Sequence, residues 1–212
     1  MSTYVNLPMT CPVCGAESRQ RMLASTNSFG SPDLDLRPAG MQRATMDRWV
    51  QECPHCGYVA FRLNTPAPIT AAWLKGESYT HCDGRNFTSH LAERFFRLYR
   101  IAREAGKHRE AYLAALYGAW ACDDEEDTAN AAFCRRMAID QLDEHIMAEG
   151  DGESVMVQRA DLMRRAGLFE ELLRQYATIR LSEAHLNKIL DFELEKAAQR
   201  DDRCYTLDDV AL

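Results

Sequence analysis

The sequence predicts an α+β fold, mostly α, in which a small β module is followed by an antiparallel domain of helical hairpins. Three observations predict it. Two CPxCG turns, Cys11-Pro12-Val13-Cys14-Gly15 and Cys53-Pro54-His55-Cys56-Gly57, stand early in the 212-residue chain. The hydrophobic period becomes helical after Thr88. Glycine-centred turns then interrupt the helical stretch at Gly106 and Gly167. The expected organisation is a β module at 1–63, a connector at 64–88 and a helical domain at 89–212.

Each CxxC places two thiolates on one tight turn, and two such turns make a tetrahedral cage. The expected occupant is one structural zinc ion on Cys11, Cys14, Cys53 and Cys56, with rubredoxin-type iron as the alternative metal. Four protein ligands leave no position for a reactive water, so a structural centre is expected. Redox chemistry of the thioredoxin kind needs a βαβ context, and none is visible. His55 is expected to face solvent from its turn. Strand-like runs, Trp49–Glu52 and Tyr58–Leu63, flank the second pair. The 38 residues between Cys14 and Cys53 include a long Ser-, Gly- and Pro-rich loop from Ser25 to Gly40. A module this small has little core of its own, so metal loss should unfold it.

Composition bounds the rest. With 46% hydrophobic and 27% charged residues, the chain is neither disordered nor fibrous. No apolar run is long enough to span a membrane, and the start lacks a basic, then apolar, secretory leader. Eight cysteines without such a leader are expected to serve metal binding in a reducing cytoplasm, not a disulfide framework. The net charge of −7 divides unevenly. Residues 1–63 carry six basic against five acidic side chains, and the remainder is strongly acidic. Neither part is a basic field that would draw in a polyphosphate chain. The preference for arginine fits a high-GC bacterial genome.

The connector opens with Asn64-Thr65-Pro66-Ala67-Pro68, which continues no strand and starts no helix before Pro68. A short helix through Ala71–Leu74 is expected to stop at Gly76, with Trp73 and Tyr79 as anchors. Leu91, Phe95, Leu98, Tyr99 and Ala102 then form one apolar stripe, with Thr88 or Ser89 as N-cap and Gly106 as stop. Further helices are expected at about 109–121, from the acidic run Asp123–Asp127 to Ile146, and at 153–166, 168–180 and 182–199. Gly150-Asp151-Gly152 should break the chain. The turns around Gly106 and Gly167 resemble tetratricopeptide hairpins, but they lie 61 residues apart, so the domain is TPR-like and not a tandem array.

Other clusters have simple expected readings. His81, Cys82 and His90 suggest a second metal site or an activated thiol, but Cys82 is expected to pack as a small hydrophobe. Asp33, Asp35 and Arg37 suggest a cation or partner site. The simpler expectation is a solvated loop or edge strand, its acids paired with Arg43 and Arg48. Asp123–Asp127 reads as a solvated helix start. Arg94, Arg97, Arg100 and Arg103 read as a solvated ion-pair face. Cys122 and Cys134 read as core, and Cys204 has no assignment. No phosphate-binding loop, nucleophile elbow or zinc-protease helix motif occurs.

The order of CPVCG, the stretch Asp33-Leu34-Asp35-Leu36-Arg37, CPHCGY and TPR-like helices resembles a family of uncharacterised bacterial proteins. These join an N-terminal CxxC–CxxC zinc module to a C-terminal helical domain. The resemblance implies zinc at Cys11, Cys14, Cys53 and Cys56 and brings no catalytic residues.

The function expected from all this is a non-enzymatic cytoplasmic adaptor. The zinc module would be a recognition knob, and the helices would offer a groove to a protein or peptide. The alternative is association with nucleic acid or the transcription machinery, through Arg19, Arg21, Arg37, Arg43 and Arg48 beside Trp49 and Tyr58. A third reading is a thiol enzyme using Cys82 with His81 or His90.

Overall fold

The computed structural model describes residues 1–149 and 152–210. Two antiparallel strands, β1 (Thr3–Thr10) and β2 (Glu17–Ser25), form a hairpin whose turn carries the first cysteine pair. A two-residue ladder of β3 (Gln51–Glu52) and β4 (Val59–Ala60) brackets the second pair. Between them lie the long loop, a one-turn helix α1 (Gly40–Arg43) and a 3-10 turn at Met46–Arg48. Short turns make the connector: Trp73–Lys75, α2 (Glu77–Thr80) and Cys82–Gly84. The helical body is α3 (His90–Glu104), α4 (His108–Asp124), α5 (Thr128–Glu149), α6 (Glu153–Arg165), α7 (Phe169–Tyr176) and α8 (Ala184–Ala198). The fold class is therefore the expected one, small antiparallel sheets followed by helices.

The differences have physical reasons. The first knuckle, for which no flanking strands were expected, has the longer hairpin, and the second has strands of only two residues. Trp49 and Val50 turn away before the ladder begins, because Trp49 reaches into the helices. The acidic run does not open α5. Asp123 and Asp124 end α4, Glu126 takes a left-handed φ of 56°, and only Asp127 caps the next helix, its Oδ1 accepting from the Asn130 amide at 3.2 Å. The expected break falls partly on Gly150 and Asp151, which lie outside the described residues. Both hairpin turns fall where expected, with Gly106 and Gly167 left-handed.

Ser89 caps α3, its hydroxyl accepting from the Ala92 amide. The buried face of α3 is wider than the expected stripe, since Phe96 and Ile101 are buried as well. α4 covers one side of this helix, and the connector and second knuckle approach another. The central helix is α4, with Ala111, Ala114, Ala115, Leu116 and Gly118–Cys122 buried. Its small side chains let α3 and α5 come close. The buried apolar residues form one contiguous cluster that runs from Met9 in β1 to Val210 near the end of the chain. Among the described residues, no helix is long and apolar enough to cross a membrane.

Candidate metal centre

Both cysteine turns fold alike. In the first, the Gly15 amide donates to the Cys11 carbonyl and the Cys11 amide to the Ala16 carbonyl, each at 2.9 Å. In the second, Gly57 donates to the Cys53 carbonyl at 2.9 Å and Cys53 to the Tyr58 carbonyl at 2.8 Å. Gly15 and Gly57 sit at φ of 73° and 71°, a conformation that costs a side-chain-bearing residue strain. Backbone amides also point at the sulfurs: those of Val13 and Cys14 at Cys11, Ala16 at Cys14, and Tyr58 at Cys56.

The two turns face each other. Cys11 and Cys56 Sγ lie 3.7 Å apart, as do Cys14 and Cys53 Sγ. All four sulfurs are within 4.8 Å of one another. A tetrahedron with metal–sulfur bonds of ~2.3 Å has edges of roughly 3.8 Å, so the donor set fits one ion. All four thiols are free of disulfides. It is the one group of three or more such ligands among the described residues that can hold a metal ion. Burial pushes the Cys11 and Cys56 thiols above their ordinary range. A bound cation would offset that cost, because it favours the thiolate form. The first cysteine of each pair is buried, Cys56 is half-buried and Cys14 is exposed, so one side of the cage faces outward. His55 is exposed, as expected.

The cage is bolted to the helices. Tyr79 in the connector is buried and donates its hydroxyl to the Gly57 carbonyl at 2.6 Å. Tyr79→Phe is expected to cost about 1 kcal/mol, the net worth of one such bond, with metal content unchanged. Chemical denaturation and elemental analysis of the same sample would check both. Arg94 on α3 donates to the Val50 carbonyl and pairs with Glu52, which Arg97 also approaches at 3.6 Å. Arg100 pairs with Asp83 of the connector. Of the arginines expected to form a solvated ion-pair face, Arg94, Arg97 and Arg100 tie α3 to the knuckle and connector, Arg97 also makes the expected pair with Glu93, and Arg103 is exposed. A spacing of three drifts around the helix surface, so the four do not share one environment.

An aromatic cluster completes the joint. Trp49 meets Tyr117 edge-on with centroids 5.0 Å apart and Trp120 at 6.4 Å. Phe61 and Phe95 reach the same Tyr117 at 6.1 and 5.6 Å. Such pairs add stability beyond their buried area.

Within the loop between the cysteine pairs, Asp33, Asp35 and Arg37 are buried and not solvated. Asp35 is fully buried and its Oδ2 accepts from Trp120 Nε1 at 2.7 Å and from Arg165 at 3.0 Å, with Arg135 at 3.8 Å. Arg135 and Arg165 also grip Asp123, whose carboxyl they hold below its usual range against the opposing effect of burial. Arg37, buried, binds Asp124 through both carboxylate oxygens at 2.7 and 2.6 Å. Asp33 does pair with Arg43, as expected, but Arg48 takes Asp47 instead. The loop is then stitched to the C-terminal segment. Leu34 donates to the Tyr205 carbonyl at 2.9 Å, and Asp33 bridges Thr206. Asp123 is thus a socket for Arg135 and Arg165, whereas Asp124, Glu125 and Glu126 are exposed, as expected of the run. Asp33 and Asp35 are arginine partners within the chain.

Cys82 is buried and packs as expected, and burial pushes its thiol up. His81 meets the Thr80 hydroxyl at 3.0 Å, and His90 is exposed beside Glu93, so the three do not gather into a site. Cys122 and Cys134 are fully buried, as expected. Cys204 is exposed at a cavity of about 640 Å³ lined also by Asp123, Arg135, Arg165 and Arg203. Sequence reasoning missed the aromatic joint and the buried arginine socket. Trp49, Tyr117 and Trp120 were visible as large aromatics, but no local pattern joins residues so far apart in sequence.

Comparison with protein-family models, with curated proteins and with solved structures returns no match. What stands of the expected resemblance is the four-cysteine cluster and the helical C-terminal region.

Proposed function

We propose that this chain is a non-enzymatic, zinc-stapled adaptor of the cytoplasm, whose β module is a rigid recognition knob carried on TPR-like helices. The observation that carries the reading is the donor set: four cysteine sulfurs at tetrahedral spacing, which close a metal's coordination and leave nothing for a substrate. Zinc is the favoured ion, since an all-thiolate tetrahedron suits it and a reducing compartment keeps the thiols free. A second support is the β1–β2 hairpin. Every residue of β1 except Met9 is exposed, among them Tyr4, Val5 and Leu7. The hairpin is joined to the second cysteine turn by the cage itself and by Gln20 Nε2, which donates to the Glu52 carbonyl at 3.1 Å. The cavity of about 640 Å³ beside α5 and the α6–α7 turn is a concave feature that suits a peptide.

The test is capture of partners from a native lysate by metal-replete protein, beside a Tyr4→Ala/Leu7→Ala double variant with its zinc intact. Loss of the same partners from the double variant is the expected result. Capture undiminished by the double variant would overturn recognition through the hairpin and move it to the helices.

The nucleic-acid reading keeps one favourable observation. Arg19 and Arg21 lie exposed on β2, and the Arg21 guanidinium sits 4.4 Å over the Tyr4 ring. Arg37, Arg43 and Arg48 are paired with Asp124, Asp33 and Asp47, so the five arginines do not form one free patch. Salt-dependent binding of single-stranded nucleic acid that Arg19→Ala/Arg21→Ala abolishes would favour this reading over the first.

A further inference from the structure

The helical body holds a second set of buried charges that the metal centre does not use. Asp161 and Arg164 on α6 are fully buried, and so is Glu193 on α8. Arg164 lies between the two carboxyls. It donates to Asp161 Oδ1 at 2.8 Å and to Glu193 Oε2 at 2.5 Å. Its remaining terminal nitrogen donates to the carbonyls of Asp201 and Arg203, at 2.9 and 2.8 Å. Each carboxyl keeps one oxygen without a donor, Asp161 Oδ2 and Glu193 Oε1. Both carboxyls sit on the one Arg164 guanidinium, which makes them neighbours in the same buried site. Two carboxylates against one guanidinium would leave a net negative charge in a buried site and two acceptors facing no donor. One proton removes both problems.

We infer that Asp161 and Glu193 share one proton, and that with Arg164 they form a pH-sensitive latch holding the C-terminal segment to the helices. The surrounding groups leave this role to the proton. Asp35 of the loop adds negative potential at Asp161, and Arg165 on α6 and Arg135 on α5, paired with Asp35 and Asp123, oppose it without outweighing burial. Tyr112 on α4 is neutral, and the Tyr205 ring lies 5.3 Å from the Arg164 guanidinium. On α7, which also packs against α8, Glu170 pairs with Arg200 and Tyr176 with Arg159. The latch reaches the β module as well, because the segment it holds is the one stitched to Asp33 and Leu34.

The direction follows from linkage. Burial, then the Asp161 charge, pushes Glu193 up to about 8, and burial, then Asp35, pushes Asp161 up. A carboxyl whose folded pKa is raised binds its proton more tightly folded than unfolded. Its stabilising contribution is full below the ordinary carboxylate value of 4.5 and is lost as pH rises through about 8.

Two measurements test the latch. Infrared spectroscopy of the whole wild-type chain should show a protonated carboxyl stretch at about pH 6 that disappears by about pH 9 and is altered by Glu193→Gln. Asp123 and Asp201 are pushed down and add nothing to that band. Thermal melts should show wild-type stability falling across the window from about pH 5 to about pH 8, and Glu193→Gln, which keeps the shape of the protonated acid, flattening that slope. Absence of the band at about pH 6, or a melt slope unchanged by Glu193→Gln, overturns the proposal. If the variant fails to fold, the wild-type infrared titration decides alone.

Discussion

Cys53→Ser is expected to release the metal and unfold the β module while leaving most helical signal in place. One equivalent of zinc per chain should fall to none by elemental analysis. The loss is expected to be large because a bound metal would supply what the module lacks. A two-stranded hairpin is marginal in water, and the second ladder here is only two residues per strand. Structural zinc in small modules contributes on the order of 10 kcal/mol of apparent folding free energy. Docking on α3 and the aromatic joint recovers part of that, so a net cost of several kcal/mol is expected. Near-ultraviolet dichroism should report it, since Trp49 and Phe61 leave their places beside Tyr117. Cys204→Ser, outside the cage, should keep the full metal content. A Cys53→Ser protein that still held one tightly bound equivalent would rule out the four-cysteine centre.

Asp35→Ala is expected to cost about 3–5 kcal/mol, the usual penalty for removing one member of a buried ion pair. The side chains left behind explain the size. Arg135 and Arg165 are 2% and 7% exposed and would face Asp123 alone, and the buried Trp120 N–H would lose its acceptor. The mirror case is Asp47→Ala. Asp47 pairs with Arg48 at 2.9 Å with about half of its side chain in solvent, so its loss should stay within about 0.5 kcal/mol. Urea unfolding of the two variants side by side checks the contrast. A cost for Asp35→Ala no larger than that for Asp47→Ala would show that the loop is not anchored through its carboxylate.

Much of this molecule was legible in local signals. Two CPxCG turns imply a cage because the ligand type and spacing are themselves the chemistry. The helical period of α3, its Ser89 cap and the glycine stops at 106 and 167 need only neighbouring residues to be read. The Asp33–Arg43 pair was also within reach, being ten residues apart. What stayed hidden was set by partners far along the chain. Asp35 lies 85 residues from Trp120 and 130 from Arg165, and Arg94 lies 44 from Val50. A buried charge and a solvated one look the same in sequence, because their difference is the removal of water by elements that arrive from elsewhere. For that reason Asp123 read as solvated along with its exposed neighbours Asp124–Glu126, and Arg94, Arg97 and Arg100 as open along with the exposed Arg103.

The cysteine cage and the helical hairpins follow from the residues themselves, since a tetrahedral ligand set and a 3.6-residue period are properties of short segments. The joint between module and helices, the arginine socket around Asp35 and the proton held between Asp161 and Glu193 exist only once distant segments have packed. Their energies come from desolvation, and packing alone determines which charges lose their water.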